Sequence, residues 1–253
     1  MLRPARRDLF CARPARSAVR CGGEVDFCPA RAYTRGMSKV FKWIKENIRC
    51  VCLALYVPLY LIMFFILEGA ITEGYWVSWC PLDDMIPFCE YFVVFYVLWF
   101  PVIGLTGLYL LIFDQETYKR YMWFIAAGFS IGTMICALFP SGQDLRPVLT
   151  GENFFQRLVM SLYRSDTNTN VIPSIHVVAA INVAFAAFSS KKLAKPWIRI
   201  IAVALAVLIS ASTVFIKQHS ILDIFASIVL CAILWPFIYL KKKDKSHDGE
   251  KVR

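Results

Sequence analysis

The sequence predicts an all-α fold: a polytopic membrane helical bundle of about six transmembrane helices. Three observations predict it. The 253 residues are 58% hydrophobic and only 18% charged, whereas soluble domains sit nearer half apolar and a quarter charged. Five uncharged runs, Cys50 to Leu67, Tyr91 to Phe113, Tyr121 to Phe139, Ile200 to Ile216 and Ile224 to Leu240, each approach the ~20 residues that cross a bilayer core as helix. Basic residues cluster in alternate connections between the runs, as in chains threaded through a membrane. One apolar run of this length can be a buried core helix, but a whole set in one chain requires lipid.

The first 36 residues stand apart. They hold eight Arg and no Lys, while the remainder holds 13 Lys and 7 Arg. No apolar run among them is long enough for a signal-peptide core, and Met37-Ser38-Lys39 reads as an ordinary cytoplasmic start. Residues 1–36 are therefore expected to be a disordered or mis-assigned extension. Residues 37–241 read as one six-span domain. Lys39, Lys42, Lys45 and Arg49 precede the first span. An outer loop from Glu68 to Glu90 follows, acidic at Glu73, Asp83, Asp84 and Glu90, with Tyr75, Trp76 and Trp79 suited to anchoring at the headgroup level. Cys80 and Cys89 share this loop and are expected as free thiols, a disulfide being the alternative if the loop faces an oxidising compartment.

Lys119 and Arg120 join the second and third spans. A second long outer loop, Pro140 to Pro173, is dense in turn-forming residues, and long ordered loops are commonly functional. The fourth span, Val177 to Ser190, reaches membrane length only if Val171 to His176 leads into it. Its alanines (Ala179, Ala180, Ala184, Ala186, Ala187) permit close helix approach and a central position. Lys191, Lys192, Lys195 and Arg199 separate it from the fifth span, and a basic tail, 242–253, follows the sixth.

Sixteen of the 20 basic residues beyond residue 36 fall on one side of this topology, leaving Arg146, Arg157, Arg164 and Lys217 on the other. The positive-inside bias puts both termini in the cytoplasm. The nine cysteines include no C-x-x-C pair, so zinc and iron–sulfur sites have little support. No metal and no cofactor is expected, and the expected partners are the bilayer and a lipid phosphoester, with no nucleic acid.

Ionisable residues at membrane depth are costly and usually functional. Arg146-Pro147, Pro173-Ser174-Ile175-His176 and His219 with Asp223 all lie at the ends of apolar runs on the extracytoplasmic face. His219 and Asp223 are spaced i, i+4, one helical turn apart on one face. The carboxylate can accept one imidazole N–H and hold the other ring nitrogen, unprotonated, towards a substrate. His176 can protonate a leaving oxygen, Arg146 offers forked donors for phosphate oxygens, and Lys217 adds a point charge beside the nucleophile.

These motifs resemble the three signatures of the type 2 phosphatidic acid phosphatase superfamily, which includes lipid phosphate phosphatases, vanadium haloperoxidases and sphingolipid phosphotransferases. Arg146-Pro147 looks like the first, Pro173-Ser174-Ile175-His176 the second, and Ser212-Thr213 leading to His219-Ser220-Ile221-Leu222-Asp223 the third. The resemblance implies a phosphohistidine at His219, His176 as general acid, Asp223 as partner of His219, and Ser174 and Arg146 as phosphate ligands. The chain departs from the pattern at three positions. Phe139 stands where a phosphatase has Lys, Ile175 where it has Gly, and Thr213 where it has Arg. Lys217 and Arg164 are the candidate replacements for the missing cations. Phe139-Pro140 and Lys217-Gln218-His219 look more like the inositol-phosphorylceramide and sphingomyelin synthase branch. The leading expectation is a lipid phosphate phosphatase in the plasma membrane, and the alternative is transfer of a phospho-headgroup to a lipid hydroxyl. A non-enzymatic lipid or ion transporter is the third reading, hinted at by Pro58 and Pro101 inside spans.

The topology predicts opposite labelling at two introduced cysteines. Lys192→Cys should react with an impermeant maleimide only from inside, and Asn153→Cys only from outside; the reverse pattern would move the motifs to the cytoplasm.

Overall fold

The protein is described from a computed structural model covering residues 41–240. The expected extension 1–36 and tail 242–253 lie outside the described residues. The chain divides into a unit ending at Glu46 and one running from Asn47. Of the first, 41–46 are helical, with exposed Lys42 and Glu46 paired at 3.9 Å.

The second unit begins with α1 (Ile48–Ala54) and α2 (Tyr56–Ala70), then β1 (Trp76–Val77) and the short α3 (Pro81–Met85). A 3-10 turn leads into α4 (Val93–Phe113), followed by α5 (Gln115–Leu138), β2 (Ser141–Gly142) and α6 (Phe154–Ser165). The chain then forms α7 (Ile175–Ser189), α8 (Pro196–Phe215) and α9 (Ile221–Tyr239). Five helical stretches are long and apolar enough to cross a membrane: Ile48–Ala70, Glu90–Phe113, Gln115–Leu138, Pro196–Phe215 and Ile221–Tyr239. The protein is thus an integral membrane protein, and its described residues are all-α apart from one two-residue strand pair.

The sixth expected span is α7, and it is short. Its 15 residues rise only ~22 Å at 1.5 Å each, against a hydrocarbon core of ~30 Å. Its neighbours are largely protein. Helices α5, α8 and α9 surround α7, and its lead-in is not helical, with Val171, Pro173 and Ser174 buried. Irregular backbone at membrane depth is tolerated where protein, not lipid, surrounds it.

Side chains are arranged accordingly. Large apolar residues such as Leu59, Ile66, Leu105, Ile200 and Phe237 are 64–69% exposed and face lipid. The interior holds small and polar ones: Ala179, Ala180, Ala186, Ala187, Asn182, Ser212, Thr213 and Ser227. In lipid, close backbone approach and interhelical hydrogen bonds replace the hydrophobic effect. A Cβ on Gly128 of α5 would stand 2.7 Å from Val178 Cγ1 of α7. Asn182 donates to the Tyr121 carbonyl at 3.0 Å and accepts the Tyr239 hydroxyl at 2.7 Å, tying α5, α7 and α9 together.

Both outer loops are ordered by pairing with each other. Strands β1 and β2 run parallel, with Trp76 opposite Ser141 and Val77 opposite Gly142. Amphipathic α6 packs Val159 against Val93, Tyr96 and Ile216. Cys80 and Cys89 are free thiols, as expected.

Gly142 is the closest contact in this layer, since a Cβ there would lie 2.4 Å from the Tyr75 ring and 3.0 Å from the Asn168 carbonyl. Gly142→Ala should therefore cost about 1–3 kcal/mol, the usual range for overpacking. A melting temperature in detergent equal to that of the unaltered protein would show that the two loops are not packed this tightly.

Candidate active site

His219 sits in the turn between α8 and α9. The carbonyl of Thr213 accepts the backbone N–H of both Gln218 (2.9 Å) and His219 (3.0 Å), and Lys217 takes the left-handed conformation, φ 55°. Asp223 lies at the third position of α9, where its carboxylate accepts the backbone N–H of Ser220 at 3.0 Å. The Ser220 hydroxyl in turn accepts the Leu222 N–H at 3.1 Å and the backbone N–H of Asp223, the latter completing a reciprocal capping box. The expected pair forms: His219 Nδ1 lies 3.1 Å from Asp223 Oδ2, with the two residues 6% and 0% exposed. With Nδ1–H donated to the carboxylate, Nε2 is the lone-pair nitrogen.

His176 comes from the first turn of α7. Its ring lies between Tyr96 and Trp99, centroids 4.5 and 4.6 Å away, and 5.7 Å from the ring of His219. Trp99 Nε1–H donates to the His176 carbonyl at 3.0 Å, fixing the turn from α4. Two buried polar atoms here have no partner, Ser174 Oγ and His176 Nδ1. Buried polar groups are almost always satisfied, so this pair of orphans near His219 makes the start of α7 the candidate ligand position.

The helix N-termini explain which ligand fits. The first N–H groups of a helix lack internal acceptors and favour anions. On α9 that position is already occupied, because Asp83 Oδ1 accepts the Ile221 N–H at 2.8 Å and Asp83 Oδ2 the Ser220 hydroxyl at 2.7 Å. On α7 the capping residue Ser174 makes no side-chain cap bond. The start of α7, with His176 in its first turn, is therefore the candidate anion position of the two.

The expected phosphate-binding cations are placed differently from one another. The Arg146 guanidinium lies over the Tyr163 ring at 4.3 Å and donates to the carbonyls of Tyr163 (3.1 Å), Asp166 (2.7 Å) and Thr167 (2.7 Å), and to Gln218 Oε1 (2.8 Å). Burial pulls it below its ordinary pKa, partly offset by the charge of Asp166. Only its Nε is unpartnered. Lys217 is 8% exposed and spends its ammonium on the carbonyls of Asp83 (2.7 Å) and Ile86 (2.6 Å). Arg164 is exposed at the end of α6. Arg146 and Lys217 brace the loops around His219, and Arg164 stands apart from that bracing.

Several residues of this site did not emerge from sequence reasoning. Ser78 donates to Asp223 Oδ1 at 2.6 Å, Gln143 donates to the Lys217 carbonyl at 2.9 Å, and Tyr96 donates to Asp166 at 2.6 Å. Asp83 was visible only as one acid among several. Pro81 opening a short helix with Asp83 two residues on is a capping signature and the one local signal that it is structural. Among the described residues no three His, Cys, Asp or Glu side chains gather into a metal site.

A family model described as the PAP2 superfamily matches residues 121–246, the stretch that carries Arg146, Ser174, His176, His219 and Asp223. No curated protein and no solved structure matches the chain.

The bracing role of Arg146 predicts that Arg146→Lys destabilises the protein as well as slowing it. A single ammonium cannot serve the four acceptors the fork now holds, and charged hydrogen bonds contribute about 1.5–3 kcal/mol each. A variant with unchanged thermal stability and impaired turnover alone would assign Arg146 to the ligand instead.

Proposed function

The chain belongs to the PAP2 superfamily, and from that premise we propose that it is a membrane-embedded lipid phosphate phosphatase working through a phosphohistidine at His219. The observation that carries this reading is the Asp223-oriented His219 beside the unpartnered Ser174 Oγ and His176 Nδ1 at the open start of α7. His219 Nε2 attacks phosphorus while His176 delivers its proton to the leaving lipid oxygen. The P–O bond breaks, and Asp223 stabilises the charge that develops on the His219 ring. His176 then takes a proton from water, which attacks the phosphohistidine and releases inorganic phosphate. Ser174 and the α7 N–H groups hold the phosphoryl oxygens, with Arg146, Lys217 and Arg164 as more distant positive charge.

A lipid substrate is supported by a cavity of about 430 Å³ that ends at His176 and Asp166, within the usual range for ligand sites. Its walls are Tyr60, Phe64, Trp99, Ile103 and Phe129, from the first three spans. At its mouth Leu61, Phe65 and Phe100 are 46–59% exposed, so it opens sideways towards lipid. His176 would meet the leaving oxygen at the polar end of such a chain. The charge asymmetry of the loops supports an extracytoplasmic site with cytoplasmic termini, and we assign it to the plasma membrane.

One observation favours a second reading, transfer of a phospho-headgroup to a lipid hydroxyl. Arg146 and Lys217 are committed to carbonyl oxygens, which leaves little free positive charge for a phosphomonoester dianion. A phosphodiester carries a single negative charge and needs less.

The test is turnover of phosphatidate in detergent micelles by the full-length protein. His219→Asn should abolish it in folded protein, and Asp223→Asn should lose most of it. His176→Asn should slow the reaction while letting a substrate with a good leaving group trap an acid-labile phosphohistidine. Substantial turnover by folded His219→Asn protein would end the covalent mechanism.

A further inference from the structure

The Asp223 carboxylate is held by three donors. Oδ2 receives His219 Nδ1 at 3.1 Å and the Ser220 backbone N–H at 3.0 Å. Oδ1 receives only Ser78 Oγ, at 2.6 Å. Ser78 and Asp223 are both 0% exposed. Ser78 follows β1 directly, and its own N–H donates to the Gly142 carbonyl at 2.7 Å. The strand pair, otherwise too small to stabilise anything, aims this hydroxyl at the carboxylate. Ser78 also lies outside the residues matched by the family model.

We propose that Ser78 is a positioning residue that completes a Ser78–Asp223–His219 relay. It rests on the reading of His219 as the nucleophile. Ser78 does two things. It pins the carboxylate plane, so that Oδ2 keeps its line to Nδ1. It also draws charge towards Oδ1, weakening the pull of Oδ2 on the imidazole proton and keeping Nε2 free of a proton. The other charged and titratable groups about the pair are accounted for. His176 faces His219 from α7, the Cys136 thiol of α5 donates to the Ile172 carbonyl, and Asp83 reaches Ser220 and Ile221 from α3. Lys217 is committed to carbonyls, and Arg146 meets Gln218. None of them donates to Asp223 Oδ1.

The full chain has three histidines, His176, His219 and His247, so their imidazoles can be followed by ¹⁵N NMR in detergent and His219 assigned with His219→Asn. In Ser78→Ala the freed carboxylate favours the imidazolium. The His219 titration midpoint should then rise by roughly half a pH unit to one unit, and the acid limb of phosphatidate turnover should move with it. Ser78→Thr, which keeps the hydroxyl, should restore both. Ser78→Cys, similar in size and a weaker donor, should shift them in the same direction by less, and it serves if the alanine variant fails to fold. Trp79→Phe removes the neighbouring bond to Asp84 (3.2 Å), loosening the same loop without touching Asp223, and should leave the midpoint in place. A midpoint unmoved or lowered in Ser78→Ala, or moved equally by Trp79→Phe, overturns the relay. Turnover by His219→Asn would instead sink the nucleophile reading, whatever the midpoint does, so the two failures are separable.

Discussion

The rest of the site depends on satisfying the hydrogen-bonding needs of one buried carboxylate inside a membrane protein. Asp223 has no access to solvent, and a carboxyl group so placed is tolerated only when its oxygens find hydrogen-bond partners. Three donors serve them, from three places in the chain: His219 in the turn, Ser220 at the cap of α9, and Ser78 in the first outer loop. Each donor imposes a geometry on its own segment. The cap fixes where α9 begins, the turn brings His219 back over the helix end, and the outer loop must run close enough for Ser78 to reach. Gly142 permits that approach by carrying no Cβ against Tyr75.

Charge is divided between bracing and chemistry. Arg146 and Lys217 are rare cations on a face otherwise poor in them, and both end on backbone carbonyls around the His219 turn. A buried carbonyl without a donor is costly, and long cationic side chains can serve several at once. Asp83 does the converse at α9, filling an anion position with protein. The result is two helix starts of opposite availability. The α9 start is closed by Asp83, while the α7 start retains the unpartnered hydroxyl of Ser174 and nitrogen of His176. On the proposed reaction, the phosphoryl group takes the open one and meets the nucleophile that the closed one positions.

Much of this was legible in the sequence because it is local or periodic. Uncharged runs of bilayer length announced the spans, the i, i+4 spacing announced the His219–Asp223 pair, and the alanine pattern of the fourth span announced its central place. The length of α7 was less legible, since hydropathy does not distinguish a helix facing lipid from a shorter one enclosed by neighbours. The cations were legible as unusual but not as to target. A positive charge retained against the positive-inside bias is equally consistent with a phosphate and with a ring of carbonyls, and only the loop path decides between them.

The sequence by itself thus determined the class of fold, the family signatures and the pairing of His219 with Asp223, because each rests on side-chain chemistry at separations of a helical turn or on composition over a span. Tertiary structure alone decided that Ser78, 145 residues before Asp223, would be its third partner. It also decided that Asp83 would cap α9 from another loop, and that the fork of Arg146 would turn to the backbone at 163–167. Those contacts join segments distant in the chain through single hydrogen bonds. A hydrogen bond leaves no periodicity or spacing in a sequence; it exists only once two loops pack at a distance set by a glycine and a two-residue strand pair.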